Sequence, residues 1–190
     1  MTQPPLDLDF PHAPELEALW TWTRRQPWAD AELRQGMADF MDASAATVHP
    51  AARQQQDLRF LDWFHLDRPV VALGATPLQA WIAATGGAPD QPLARTVVGA
   101  YAVKRVVPHS LVVLAALADG REFRLKDKAL SVGVKPGQLA FGRLYPHAER
   151  WVAGASLLAV DADIAYALRD RAELAAAEDG LSLEWMVYKV

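Results

Sequence analysis

Residues 85–92, TGGAPDQP, put two glycines and two prolines into eight positions, and the hydrophobic pattern changes across them. Before this break apolar residues recur at helical spacing; after it they alternate. The expectation is an α+β protein. Residues 1–88 form a helical region, packed on a small antiparallel SH3-like or OB-like β-barrel within 93–190 that carries a C-terminal helix and strand.

Working backwards from the break, TPLQAWIAA begins a short helix. Thr76 is its N-cap, Pro77 its first helical residue, and Gln79 completes a capping box. Ahead of it, RFLDWFHLDRPV (59–70) closes a helix that starts near Pro50. That helix must stop near Asp67, because Arg68 precedes Pro69 and a residue before proline avoids helical geometry. Phe60, Trp63 and Phe64 cover most of its circumference, as in a helix packed on its own bundle and on a second layer. DAELRQGMADFMDAS sets Leu33, Met37, Phe40 and Met41 on one stripe, with Asp30 placed to cap the first turn. PELEALWTWTRR forms an earlier helix with Pro14 in its first turn, and Pro27 ends it.

Working forwards, RTVVGAYAVKRVV, SLVVLAAL, REFRLKD, QLAFGRLY and RWVAGASLLAV read as five strands. Their joints PHS, ADG, KPG and PHAE are short and rich in turn formers, so neighbours should be antiparallel. Glycines 99, 133, 142 and 154 allow the bends of a curled sheet. A helix over DADIAYALRDRAELAAAEDG and an edge strand over LSLEWMVYKV complete the chain.

The sequence has 190 residues, about half of them hydrophobic, and no cysteine, which removes disulfides, thiolate metal sites and cysteine nucleophiles. No signal peptide opens it and no apolar run could span a bilayer, so a cytoplasmic protein without membrane contact is expected. The formal net charge of −4 is unevenly spread: −6 over residues 1–90, +6 over 91–160 and −4 over 161–190. A basic middle block points to an anionic partner or to attraction between the blocks.

His65-Leu66-Asp67 is the obvious candidate for metal or acid–base chemistry, but the five histidines are scattered and no paired spacing occurs. GxSxG and dinucleotide fingerprints are absent, and GVKPGQ lies between strands as a turn. No catalytic, cofactor-binding or metal residue is assigned, and no cofactor is expected. The candidate nucleic-acid contacts are Lys104, Arg105, Arg121, Arg124, Lys126 and Lys128 on adjacent hairpins, with Lys135 nearby. Alternation places Arg124, Lys126 and Lys128 in one outer row. Tyr101, Phe123, Phe141, Tyr145 and Trp151 could stack bases or fill the barrel. A second set is structural. Trp63 should lie between helix and barrel, and Arg143, which interrupts the apolar face of QLAFGRLY, needs an acidic partner from the helices, with Asp67 the first choice.

FLDWFHLDRPV, GATPLQAWI and VKPGQLAFGRLYP together resemble a pattern in an uncharacterised bacterial protein family related to SEC-C-motif-containing proteins. The resemblance spans roughly residues 57–160 and implies a two-part architecture. The SEC-C cysteines are missing, so metal binding is not implied, and no activity comes with the likeness. The leading expectation is a non-catalytic binding or adaptor protein, with an unknown protein partner, acting through the barrel and its junction with the helices. The alternative is a nucleic-acid-binding protein that uses the basic barrel face.

Overall fold

The computed structural model describes residues 10–43, 50–154 and 157–160. The helix and strand expected beyond residue 160 lie outside them. Helix α1 (Ala13–Arg24) has proline in its first turn and ends three residues ahead of Pro27. Helix α2 (Ala29–Ala43) starts earlier than expected, so Asp30 sits inside its first turn rather than at the cap. There its carboxylate still faces the positive end of the helix. Phe40 is fully buried, whereas Leu33, Met37 and Met41 are half-buried.

Helix α3 (Pro50–Leu66) contains the aromatic stretch. It stops where expected, its last turn closed by the amides of Asp67 and Arg68, both donating to Trp63 O. At Gly36 a Cβ would lie 3.0 Å from the Phe64 ring, so α2 and α3 approach closely there because glycine permits it. Helix α4 (Pro77–Thr85) has the full capping box: Gln79 N–H donates to Thr76 Oγ1 and Thr76 N–H to Gln79 Oε1. Gly86, at φ 70°, ends it in the left-handed conformation that glycine adopts without strain.

Trp63 is buried, but its ring neighbours are Phe40 of α2 and Phe60 of α3 itself. It belongs to the core that gathers Leu16, Leu19, Trp20 and Phe64 of the helices with Tyr145 and Val152 of the barrel, its own aromatic contacts lying on the α2 side. The reason is rotational: Phe60 and Trp63 lie on the side of α3 that meets α2, while Asp62 and Asp67 serve the barrel.

After a 3₁₀ turn (Pro92–Arg95) come β1 (Val97–Val107), β2 (Leu111–Ala116) and β3 (Glu122–Leu125), then helix α5 (Lys128–Gly133). Strands β4 (Leu139–His147), β5 (Arg150–Ala153) and β6 (Leu158–Val160) follow. β1, β2 and β3 form an antiparallel meander, and β4 returns to pair with β1. β5 closes the barrel between β4 and β3, meeting β3 in parallel at Leu125–Trp151. The barrel is therefore mixed rather than wholly antiparallel. The cause is α5: the chain leaves β3 through a helix instead of a tight turn, so β4 cannot fall beside it. The resulting order β1-β2-β3-β5-β4-β1 is a five-stranded Greek-key closure of the OB-like kind.

The expected fifth strand is divided. β5 pairs with Leu144–His147, while β6 pairs with Leu139–Phe141 along the edge of β4 opposite β1. Between them Gly154 N–H donates to Arg143 O and Leu157 N–H to Gly154 O. Inside the barrel, Tyr101, Val112, Leu114, Phe123, Leu125 and Leu144 are fully or almost fully buried. Gly99 faces Gly142 across the β1–β4 ladder, with the Tyr101 ring alongside it at ordinary contact distance. Tyr145 of β4 and Val152 of β5 instead pack into the helical core, which fixes the side of the barrel that the helices cover. Among the described residues no helix is long and apolar enough to cross a membrane.

Candidate nucleic-acid interface

Strand register sorts the basic residues named above into two groups. Arg105 of β1 pairs with Val113 of β2, and Val113 pairs with Arg124 of β3. Paired residues in neighbouring strands point to the same face. Their neighbours Val112, Phe123 and Leu125 are buried in the barrel, so Arg105 and Arg124 stand on its outer surface, and both are exposed. Lys104 occupies the irregularity in the β1–β2 register and is exposed as well. Glu122, opposite Ala115, is the acidic member of this face. Arg121 is exposed, with its guanidinium 4.6 Å from the centre of the Phe123 ring, a cation–π contact.

Lys126 and Lys128 do not continue the Arg124 row, which corrects the alternation argument. β3 ends at Leu125, and Asp127 caps α5 by accepting from Leu130 N–H at 2.8 Å. Beyond that point a period of two has no meaning. The two lysines instead line a cleft of about 400 Å³, together with His147 and Arg150 of the β4–β5 hairpin and Trp151 of β5. The Phe10-Pro11 segment forms its helical side. Arg150 and His147 were not among the sequence candidates, since PHAER reads as a plain turn. The available signal was Arg150 beside Trp151, a cation next to an aromatic after a turn.

Four of the five aromatics considered for base stacking are core residues: Tyr101, Phe123, Phe141 and Tyr145 are buried. Trp151 alone is half-buried, its ring edge-on to Phe123 with centroids 5.0 Å apart. Burial raises the pKa of both tyrosine hydroxyls, so both stay neutral at physiological pH.

At the junction, Arg143 points out of the barrel and is 4% exposed. It donates to Asp67 and, at 2.8 Å, to Thr96 Oγ1. Burial opposes its charge, but Asp67, with Tyr145 and Asp62 adding to it, more than compensates and raises its pKa. Tyr145 is hydrogen-bonded to Asp62 beside it. His12 lies against the Tyr145 ring and donates through Nε2 to Pro146 O at 2.8 Å. The junction is thus filled by the protein's own polar pairs.

His65, the other sequence candidate, donates through Nδ1 to Leu61 O at 2.8 Å, one turn back along α3. Burial pushes its pKa down to about 4, so the ring is neutral. Asp67 faces the barrel instead, so the two residues do not form a joint site. Arg105, Arg124, Lys126, Lys128 and Arg150 are all exposed, a basic surface suited to holding anions. Comparison of the chain with protein-family models, curated proteins and solved structures finds no match.

Proposed function

We propose that this chain is a non-catalytic binding protein whose ligand is a single-stranded nucleic acid, held through its phosphates on the basic side of the barrel. One observation carries the reading: Arg105 and Arg124 are in register across β2, and Lys126, Lys128 and Arg150 gather at the end of β3. The β2–β3 face and the adjoining loops are where OB-folds take oligonucleotides. Cations spaced along such a face bind a phosphate backbone by releasing its counterions, without reading bases. A cytoplasmic location belongs to the same reading. A protein adaptor working through the barrel–helix junction has less support, because Arg143 pairs with Asp67, Tyr145 with Asp62 and His12 with Pro146 O inside the protein there.

The test is fluorescence anisotropy with a labelled single strand at about 50 and about 200 mM salt, where phosphate-driven binding weakens steeply. Replacing Arg124, Lys126 and Lys128 together by Ala should weaken binding and flatten the salt slope by roughly two to three units. All three are exposed, so the variant should fold as the parent does. Absence of binding at the lower salt, or an unchanged slope in the variant, rejects the proposal.

A further inference from the structure

We infer that the cleft between β5, α5 and the Phe10-Pro11 segment receives the phosphorylated end of the bound strand. This inference rests on the nucleic-acid reading above and specifies what part of the ligand the site selects. The starting point is a difference in shape between the two basic groups. Arg105 and Arg124 stand exposed on an outer strand face, along which a polymer can pass. The cleft is bounded on its far side by Phe10 and Pro11.

That wall is fastened. The Phe10 ring meets Tyr145 edge-on at 5.0 Å, His12 stacks on the same Tyr145, and His12 Nε2 donates to Pro146 O. The segment is thereby pinned across the end of β4. A strand that follows β3 from Arg124 to Lys126 meets this wall of Phe10 and Pro11 across its path, which suits a terminus better than an internal stretch.

The electrostatics favour the same part of the ligand. Lys126, Lys128 and Arg150 bring three positive charges, against the one negative charge of Asp127, into about 400 Å³, the scale of a small-molecule pocket. The acid among them, Asp127, already accepts from the Leu130 amide at the start of α5. An internal phosphodiester carries one negative charge, whereas a terminal phosphate carries between one and two and has more free oxygens to accept hydrogen bonds. A site with this excess of donors therefore gains most from the terminal group. Trp151, half-buried on the same wall, offers its remaining surface to the last base, a contact that tolerates any sequence.

The experiment is competition against a labelled strand on the full chain. Four unlabelled competitors of one length and sequence are used: a 5′-phosphorylated strand, a 3′-phosphorylated strand, an unphosphorylated strand and a covalently closed single-stranded circle. One of the two phosphorylated strands should compete about tenfold better than the unphosphorylated strand and the circle, the gain expected for one added charge-assisted contact. Lys128→Glu combined with Arg150→Glu should erase that preference and weaken the remaining salt-dependent binding as well. Arg124→Glu should weaken all four competitors by a similar factor. A circle or an unphosphorylated strand competing as well as the phosphorylated ones overturns the inference and leaves the nucleic-acid reading in place. Failure of all four to bind at low salt overturns both.

Discussion

A guanidinium that leaves a barrel strand and enters a helical layer must bring its own counter-charge, since an unpaired buried cation is strongly destabilising. Arg143 meets this condition through Asp67, supported by Thr96. Removing either partner alone strands the other, so Arg143→Ala and Asp67→Ala should each cost about 3–5 kcal/mol. The double variant should cost clearly less than their sum, and a thermodynamic cycle should give coupling of at least about 1 kcal/mol. Additive losses in urea unfolding would mean that the pair adds nothing to the joint. Trp63 presents a different balance, because its indole N–H finds no hydrogen-bond partner and its contribution is packing, with the Arg68 guanidinium 5.9 Å from its ring centre. Trp63→Ala leaves a cavity between Phe40 and Phe60, and about 3–5 kcal/mol should be lost. A loss under about 1 kcal/mol would show that the helical core closes over the gap.

At the scale of elements, local chemistry decided what could be read in advance. The α4 start is written in Thr76, Pro77 and Gln79, because a capping box is satisfied within one turn and needs nothing from the rest of the fold. Thr76→Ala removes the acceptor of the Gln79 amide and should lower the unfolding free energy by about 1 kcal/mol, which chemical denaturation would resolve. The end of α3 was legible for the same kind of reason, a proline two residues beyond Asp67. Helix α5 was not. Six residues, KALSVG, carry too little periodicity to compete with the alternation around them, and the useful signal was a single Asp127 cap. Missing α5 had two consequences. It left the barrel looking wholly antiparallel, and it placed Lys126 and Lys128 in a row with Arg124 instead of in the cleft. The Arg143–Asp67 contact could be anticipated because a lone charge in an apolar row demands a partner. Which side of α3 Trp63 would occupy could not, since aromatics surround the helix there and period alone does not choose among them.

For the molecule as a whole, the two layers are joined by groups that stay neutral or paired at physiological pH, and this makes stability depend on acid. His12, at the seam, has its pKa lowered chiefly by burial, with His147 adding to the effect against the pull of Pro146 O and Glu15. His65, inside the helical core, is lowered to about 4 by burial and secondarily by Arg24. In the unfolded chain both rings titrate near the ordinary histidine value of about 6.5. The unfolded state therefore binds more protons than the folded one between those values, and stability falls as the pH drops. Above about pH 6.5 both states hold neutral rings and the full stability is present. Between there and about pH 4 the His65 ring alone should withdraw on the order of 3 kcal/mol, after which both states are protonated and its contribution levels off. His65→Gln, which can still donate to Leu61 O without titrating, should lose that part of the slope. Urea midpoints for parent and variant at about pH 7 and about pH 4.5 measure the difference directly. Equal losses in the two proteins would place the acid sensitivity elsewhere. A smaller loss in the variant would identify the buried imidazole as a group through which acid opens the helical layer.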